Sequence, residues 1–345
     1  MNSKKSKKIK VLAIALALAM TAALLASCAA KEEKPAGEGQ TLDKITVQTL
    51  WVPQGQFAGL YIADARDYYE EEGIDIEILP GGTDVTPADQ VENDVAQVGV
   101  LFYSSLLTYQ EGGYDFINVF QNFQGSPQYL VAKKDTGIAT GADLKGKKIG
   151  TWGAQWQVEF AALLGKYDLG DSDVTWVQQD YTMDQFINDE IDAASAMAYN
   201  EWLIANDEGW DESNTNIIDL NKEGTAMLED CLFVKRDWAE ANEDLLVRFL
   251  RATKKGWDYA IQNPEESGKL IFETGNSATE EHQIKMTEIC GSYVQPEGAT
   301  AGDIGKIDEA KAQQTIDFAK KYGLIKGDIA LENSIDVSYW EKASS

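Results

Sequence analysis

A two-lobed α/β fold, two strand-and-helix units followed by a helical tail, is predicted by three observations. Strand-like and helix-like segments alternate from Lys44 to about Lys133 and again from Leu144 to Trp202, which implies mostly parallel sheets. One further short strand at 231–235 is followed only by helix-like sequence. The chain therefore passes between the units twice, near 129–133 and near 232–235, giving one lobe of 44–132 with 233–340 and a second of 133–232. A cleft between lobes joined in this way closes on a ligand by hinge motion.

In the first unit, strands are expected at 45–51, 74–79, 97–102 and 116–122, and helices at 57–71, 87–94 and 104–111. Ile45, Val47 and Thr49 favour the first strand, Pro53 and Gly55 end it, and Phe57, Leu60, Tyr61, Ala65 and Tyr68 recur at helical spacing. Trp51, Gln54 and Gln56 thus fall at a strand's carboxyl end, where open α/β sheets place their ligands. An aromatic face beside two amides suits a flat, neutral, hydrogen-bonding ligand, because the ring stacks while amides both donate and accept. A core tryptophan with solvated turn amides is the alternative. Pro80, Gly81, Gly82, Thr83 and Asp84 follow the second strand. They lack the lysine of a nucleotide loop and no helix opens after the glycines, so a ligand-lining or plain turn is expected rather than a phosphate cradle.

The second unit repeats the arrangement. Trp152, Gln155, Trp156 and Glu159 stand where a strand ending near Trp152 runs into a helix reaching Tyr167. A strand at 174–178, a helix at 183–188 and a strand-into-helix at 191–202 then place Tyr199, Asn200 and Glu201 at a third strand end. Tyr103 stands at a comparable junction in the first unit. A carboxylate of Glu159 or Glu201 can accept a charge-assisted bond from a ligand N–H; an ordinary carboxylate favoured by a helix N-terminus is the competing reading. Tail helices are expected at 244–262, 264–274, 279–293 and 304–322, with Pro264 at a helix start. His282, the sole histidine, lies in a charged helical stretch and is expected on the solvated surface.

The ends and the charge bound the setting. Lys4, Lys5, Lys7, Lys8 and Lys10 precede an apolar run from Val11 to Leu25, followed by Ala26, Ser27 and Cys28, the pattern of an export signal over 1–27. The apolar run is short for a bilayer span. The small-residue ending at a cysteine looks like a bacterial lipoprotein box, with Cys28 as the lipidated residue, and the polar 28–43 reads as a tether. The expected location is extracytoplasmic, held to the membrane by the N-terminal lipid. Without the leader's five lysines, 25 Lys and Arg face 57 Asp and Glu, a net charge near -32, so nucleic acid is not expected as a partner. Cys231 and Cys290 lack the close spacing of a metal site and are expected as two buried thiols, although a disulfide stays open. No metal or cofactor is expected, and a monomer is.

The run from Trp51 to Ala63, then Tyr69 to Glu77, Pro80-Gly81-Gly82, Gln97 to Val100, Asp143 to Gly150, Asp192-Ala193 and Asn263-Pro264, resembles the substrate-binding proteins of bacterial ABC importers, in the branch related to thiamine-pyrimidine synthases. The resemblance covers about 44–324. It implies a type II periplasmic-binding fold and delivery of a small solute to an ABC permease and its ATPase, without catalysis. It implies a thiamine-pyrimidine precursor, riboflavin or a sulfonate such as taurine as the solute. Pyrimidine binders of this kind place a polar residue before the strand-end tryptophan and a histidine after it; Leu50 and Gln56 or Phe57 stand there, which keeps riboflavin in contention. Arg66, Arg236, Arg248 and Arg251 lie away from the three junctions, so an aliphatic sulfonate, a fixed anion, suits them less than a flat heterocycle. The related synthases use a lysine for pyridoxal phosphate, an active-site histidine and a cysteine-rich iron site; this sequence offers one histidine, unsuitably placed, and no cysteine cluster. A sensor using the same fold without transport stays open.

Overall fold

The computed structural model describes residues 41–275 and 278–345, the side chains of 154 and 155 excepted. The expected leader, Cys28 and most of the expected tether lie outside the described residues, as does the side chain of Gln155. The ten strands are β1 (Asp43–Gln48), β2 (Ile74–Leu79), β3 (Val98–Phe102), β4 (Phe116–Gln121), β5 (Gln128–Lys133), β6 (Lys148–Thr151), β7 (Thr175–Gln178), β8 (Ala193–Met197), β9 (Thr215–Asp219) and β10 (Asp230–Lys235). They form two five-stranded sheets, ordered β2-β1-β3-β10-β4 and β7-β6-β8-β5-β9.

Each sheet is parallel except around the strand that follows a passage between lobes. β10 runs antiparallel to β3 and β4, and β5 antiparallel to β8 and β9. A chain arriving from the other lobe enters the sheet from the cleft side, so its strand points opposite to those that end there. The passages lie at 122–127 and 220–229, because β5 already belongs to the second sheet and β10 to the first. Sequence places both passages a few residues later, inside those strands; the two segments are apolar enough to be buried strands and carry no turn residue to distinguish a strand from a linker.

Burial follows position in the sheet. β3, β4 and β10 are buried along almost their whole length, as strands covered on both faces must be. The edge strand β2 alternates buried or half-buried isoleucines with exposed Asp75 and Glu77. Separate apolar clusters fill the faces of the two sheets, and the largest reaches across the cleft to take in Trp152, Met197 and Tyr199 of the second lobe. Among the described residues no helix is long and apolar enough to cross a membrane.

Several expected elements differ. The helix expected over 57–71 breaks after Ala65, where Asp67 takes a left-handed φ of 59°. The last long helix begins at Glu309 rather than 304, its N-terminus fixed by the Asp308 carboxylate, which accepts from the backbone N–H groups of Ala310 and Lys311. His282 is buried, not solvated, at 8% exposure. Its helix, Glu280–Val294, is capped by Thr279 and packs against the short turn Gly55–Phe57 at the cleft, a placement that local charge does not report. Cys231 and Cys290 are free and buried.

Candidate ligand-binding cleft

The cleft lies where the parallel strands of both sheets end. From the first lobe, Leu50, Trp51, Gln54 and Gln56 follow β1, and Phe102 ends β3; from the second, Trp152 and Trp156 follow β6, Tyr181 follows β7, and Met197, Tyr199, Asn200 and Glu201 end or follow β8. These residues line a cavity of about 150 Å³ that opens to solvent.

Local backbone chemistry aims the tryptophans. The carbonyl of Trp51 accepts from the Thr49 hydroxyl at 2.8 Å and from Gly81 N–H at 2.9 Å. A Cβ on Gly81 would stand 2.3 Å from the Thr49 carbonyl oxygen, so only glycine lets the loop after β2 come close enough to hold Trp51. Gly153, with φ of 134°, turns the chain from β6 into the helix Ala154–Lys166, a conformation that side chains rarely adopt. Trp152 Nε1 donates to the carbonyl of Asp180 at 3.0 Å, fixing the indole plane.

Aromatic contacts cross the cleft. Trp51 meets Tyr181 with centroids 5.2 Å apart, and Phe102 meets Trp156 edge-on at 6.2 Å. Trp152 stacks on Tyr181 at 11° and 6.3 Å. The polar groups are organised as two chains. Gln54 Nε2 donates to Gln56 Oε1 at 2.6 Å, and Gln56 Nε2 donates to both carboxylate oxygens of Asp230 at 3.0 and 2.8 Å. On the opposite wall, Asn200 Nδ2 donates to Glu201 Oε1 at 2.8 Å, and Met197 N–H donates to Glu201 Oε2 at 3.0 Å. Burial raises the Glu201 carboxyl, and these donors oppose it. Lysine, arginine, histidine and cysteine are absent from the described lining residues, and among the described residues no histidine, cysteine and carboxylate group could hold a metal ion.

Of the residues singled out from sequence, Trp51, Gln54, Gln56, Trp152, Trp156, Tyr199, Asn200 and Glu201 come together around this cavity. Four do not line it. Phe57 and Tyr61 point into the core beneath the cleft. Tyr103 lies on the far face of the first sheet, its hydroxyl 2.8 Å from that of Ser334. Glu159 is buried at the passage between lobes, accepting from Met227 N–H at 3.0 Å. Sequence reasoning misses Leu50, Phe102, Tyr181 and Met197; Phe102 ends β3 while Tyr103 opens the helix Tyr103–Glu111, and the two side chains join different apolar clusters.

A family model described as "NMT1/THI5 like" matches residues 54–267, well over half of the chain. The protein belongs to the NMT1/THI5-like family. Among its relatives, the riboflavin-binding protein RibY of Chloroflexus aurantiacus is 27% identical over 71% of this chain and 70% of its own. The formylaminopyrimidine-binding protein of Halalkalibacterium halodurans is 20% identical over 79% and 81%. A 4-amino-5-hydroxymethyl-2-methylpyrimidine phosphate synthase of Schizosaccharomyces pombe is 24% identical over 87% of both. Among solved structures, the periplasmic aliphatic sulphonate binding protein SsuA of Escherichia coli superposes with a TM-score of 0.68 at 15% identity, over 85% of this chain and 92% of that one. The fold of this family member is therefore the two-lobed periplasmic-binding fold.

Proposed function

We propose that this protein is the extracytoplasmic solute-binding component of an ABC importer and that its solute is a single-ring N-heterocycle of the thiamine-pyrimidine class. The observation that carries the reading is a cation-free aromatic cavity of about 150 Å³ assembled from both lobes. A space of that size accommodates a ring such as benzene, so one heteroaromatic ring fits between the walls and any larger part of a ligand would extend from the open side of the cleft. Trp51, Trp152, Trp156 and Tyr181 supply stacking faces, and Gln54 and Glu201 supply acceptors for ring N–H groups. An aliphatic sulfonate would meet carboxylates and amides without a positive partner.

Catalysis is not part of the proposal, since the described lining has no lysine to carry pyridoxal phosphate. Cys28 is proposed as the lipid anchor, 28–43 as the tether, and a permease with its ATPase as the partners of a monomer.

A calorimetric and thermal-shift panel of formylaminopyrimidine, an aminopyrimidine, riboflavin and taurine tests the ligand. The expected result is saturable binding of the pyrimidines with taurine silent. Heat from taurine and none from any heterocycle would overturn the assignment.

A further inference from the structure

The helix Ala154–Lys166 of the second lobe touches three places along its length. Near its start, Trp156 lines the cavity and meets Phe102 of the first lobe. At its middle, the Glu159 carboxylate accepts from Met227 N–H in the passage at 220–229. Gly165, near its end, lies about 9 Å further along the axis from Glu159, at the helical rise per residue, on the side of the passages away from the cavity. There the helix meets the first lobe a second time. A Cβ on Gly165 would stand 2.7 Å from the Tyr322 hydroxyl and ring edge. Tyr322 follows the helix Glu309–Lys321, whose Ala312, Ile316 and Ala319 pack into the first-lobe cluster with Leu106 and Leu107.

The helix Glu309–Lys321 also holds both passages. Lys311 Nζ donates to the Gln124 carbonyl at 2.5 Å, Gln314 Nε2 donates to the Ala226 carbonyl at 3.2 Å, and Leu228 N–H donates to the Thr315 hydroxyl at 3.0 Å. Gln124, Ala226, Leu228, Lys311 and Gln314 border a cavity of about 220 Å³. The ground behind the passages is therefore not solidly packed, and the lobes have room to turn about them.

We propose that Gly165 and Tyr322 form a stop behind the hinge, which limits how far the cleft opens and so sets solute affinity without touching the solute. The passages lie between the two contacts of the helix Ala154–Lys166 with the first lobe, so a rotation about them moves the contacts in opposite senses. As Trp156 leaves Phe102, Gly165 approaches Tyr322. A bulkier residue at 165 meets Tyr322 before the cleft is fully open, which costs the open form population; a smaller residue at 322 lets the cleft swing wider. The apparent Kd scales inversely with the closed, binding-competent fraction. Both changes therefore act by one common factor on every solute over which the lobes close. The stop rests on the two-lobed fold and not on the identity of the solute.

The test combines calorimetry of the full chain, with 4-aminopyrimidine and riboflavin as probes, and small-angle scattering without solute. Gly165→Leu is expected to tighten both probes by about three-fold, as a three-fold rise in the closed fraction does, and to reduce the solute-free radius of gyration. Gly165 sits within a helix and leucine is the better helix former, so the local backbone accepts the change. Tyr322→Ala is expected to weaken both probes by about three-fold and to enlarge that radius, and the double variant to return near wild-type values. Should Gly165→Leu fail to fold, Tyr322→Ala decides alone. Unchanged affinity and unchanged radius in Tyr322→Ala would overturn the stop. So would a change confined to one of two probes that both bind, because a contact behind the hinge does not distinguish solutes. A wild-type protein that binds neither probe would overturn the heterocycle reading alone, and the solute-free radii would then decide the stop.

Discussion

His282 Nε2 lies 2.9 Å from Asn200 Oδ1, so the only histidine of the chain, on a helix of the first lobe, is bonded to the cleft wall built by the second. Asn200 turns its amino group to Glu201 at 2.8 Å, which leaves its oxygen for His282 and makes the imidazole the donor. The bond holds the lobes together at the rim of the cavity.

Replacing His282 with alanine should weaken pyrimidine binding by about five-fold, the loss of roughly 1 kcal/mol for one hydrogen bond. His282→Gln, which keeps a donor, should retain most of the affinity. Small-angle scattering of the alanine variant should show a larger radius of gyration with ligand present than the wild type does. Burial lowers the His282 pKa from its ordinary 6.5, so its contribution to stability is present above that value and is lost as pH falls through the lowered one.

Trp51→Ala should reduce pyrimidine affinity by about five-fold or more, on the ~1 kcal/mol scale of an aromatic contact, with a small change in melting temperature because Trp51 is only half-buried. Trp152 is a less selective test. Its ring is buried in the largest apolar cluster and its indole N–H is bonded to Asp180, so Trp152→Ala should lower both affinity and melting temperature. Unchanged affinity in Trp51→Ala would return that ring to a packing role.

The buried Glu159–Glu229 pair should contribute a fall in melting temperature as pH rises from about 4.5 to about 8. Burial pushes the Glu159 carboxyl from 4.5 up to about 8, and the neighbouring Glu229 is raised by burial and by Glu159. Neither Glu159 Oε2 nor Glu229 Oε2 has a hydrogen-bond partner, while the Ser126 hydroxyl donates to Glu229. The folded protein thus keeps a proton that the unfolded chain releases. That stabilisation is complete below the unfolded pKa and is lost as pH rises through the folded one. Glu159→Gln should raise the melting temperature above roughly pH 8 and flatten the slope, measured by calorimetric scans across the range.

Cys28→Ser should move the protein from the membrane fraction to the soluble extracytoplasmic fraction of its host, read by fractionation and blotting. Retention in the membrane fraction would remove Cys28 as the anchor.

Much of the fold was legible because its signals are local. Alternating strand and helix patterns, with proline and glycine at 53, 55, 81 and 153, mark the strand ends, and the carboxyl ends of strands are where this architecture gathers its ligands. The two-sheet order was not legible, since β5 and β10 are buried runs whose direction depends on the lobe from which the chain arrives. Which aromatic faces the cleft also eluded sequence: Phe102 and Tyr103 are adjacent aromatics at a strand-to-helix junction, and one reaches the cavity while the other reaches Ser334.

By itself, then, the sequence determined a family with two α/β lobes and aromatic-amide junctions, because each of these is written within a few consecutive residues. The tertiary structure decided that Glu159 belongs to the passage between lobes, that His282 reaches Asn200 across 82 residues, and that Asp230 meets Gln56 across 174. A hydrogen bond needs its partner, and no local pattern names a partner so far along the chain.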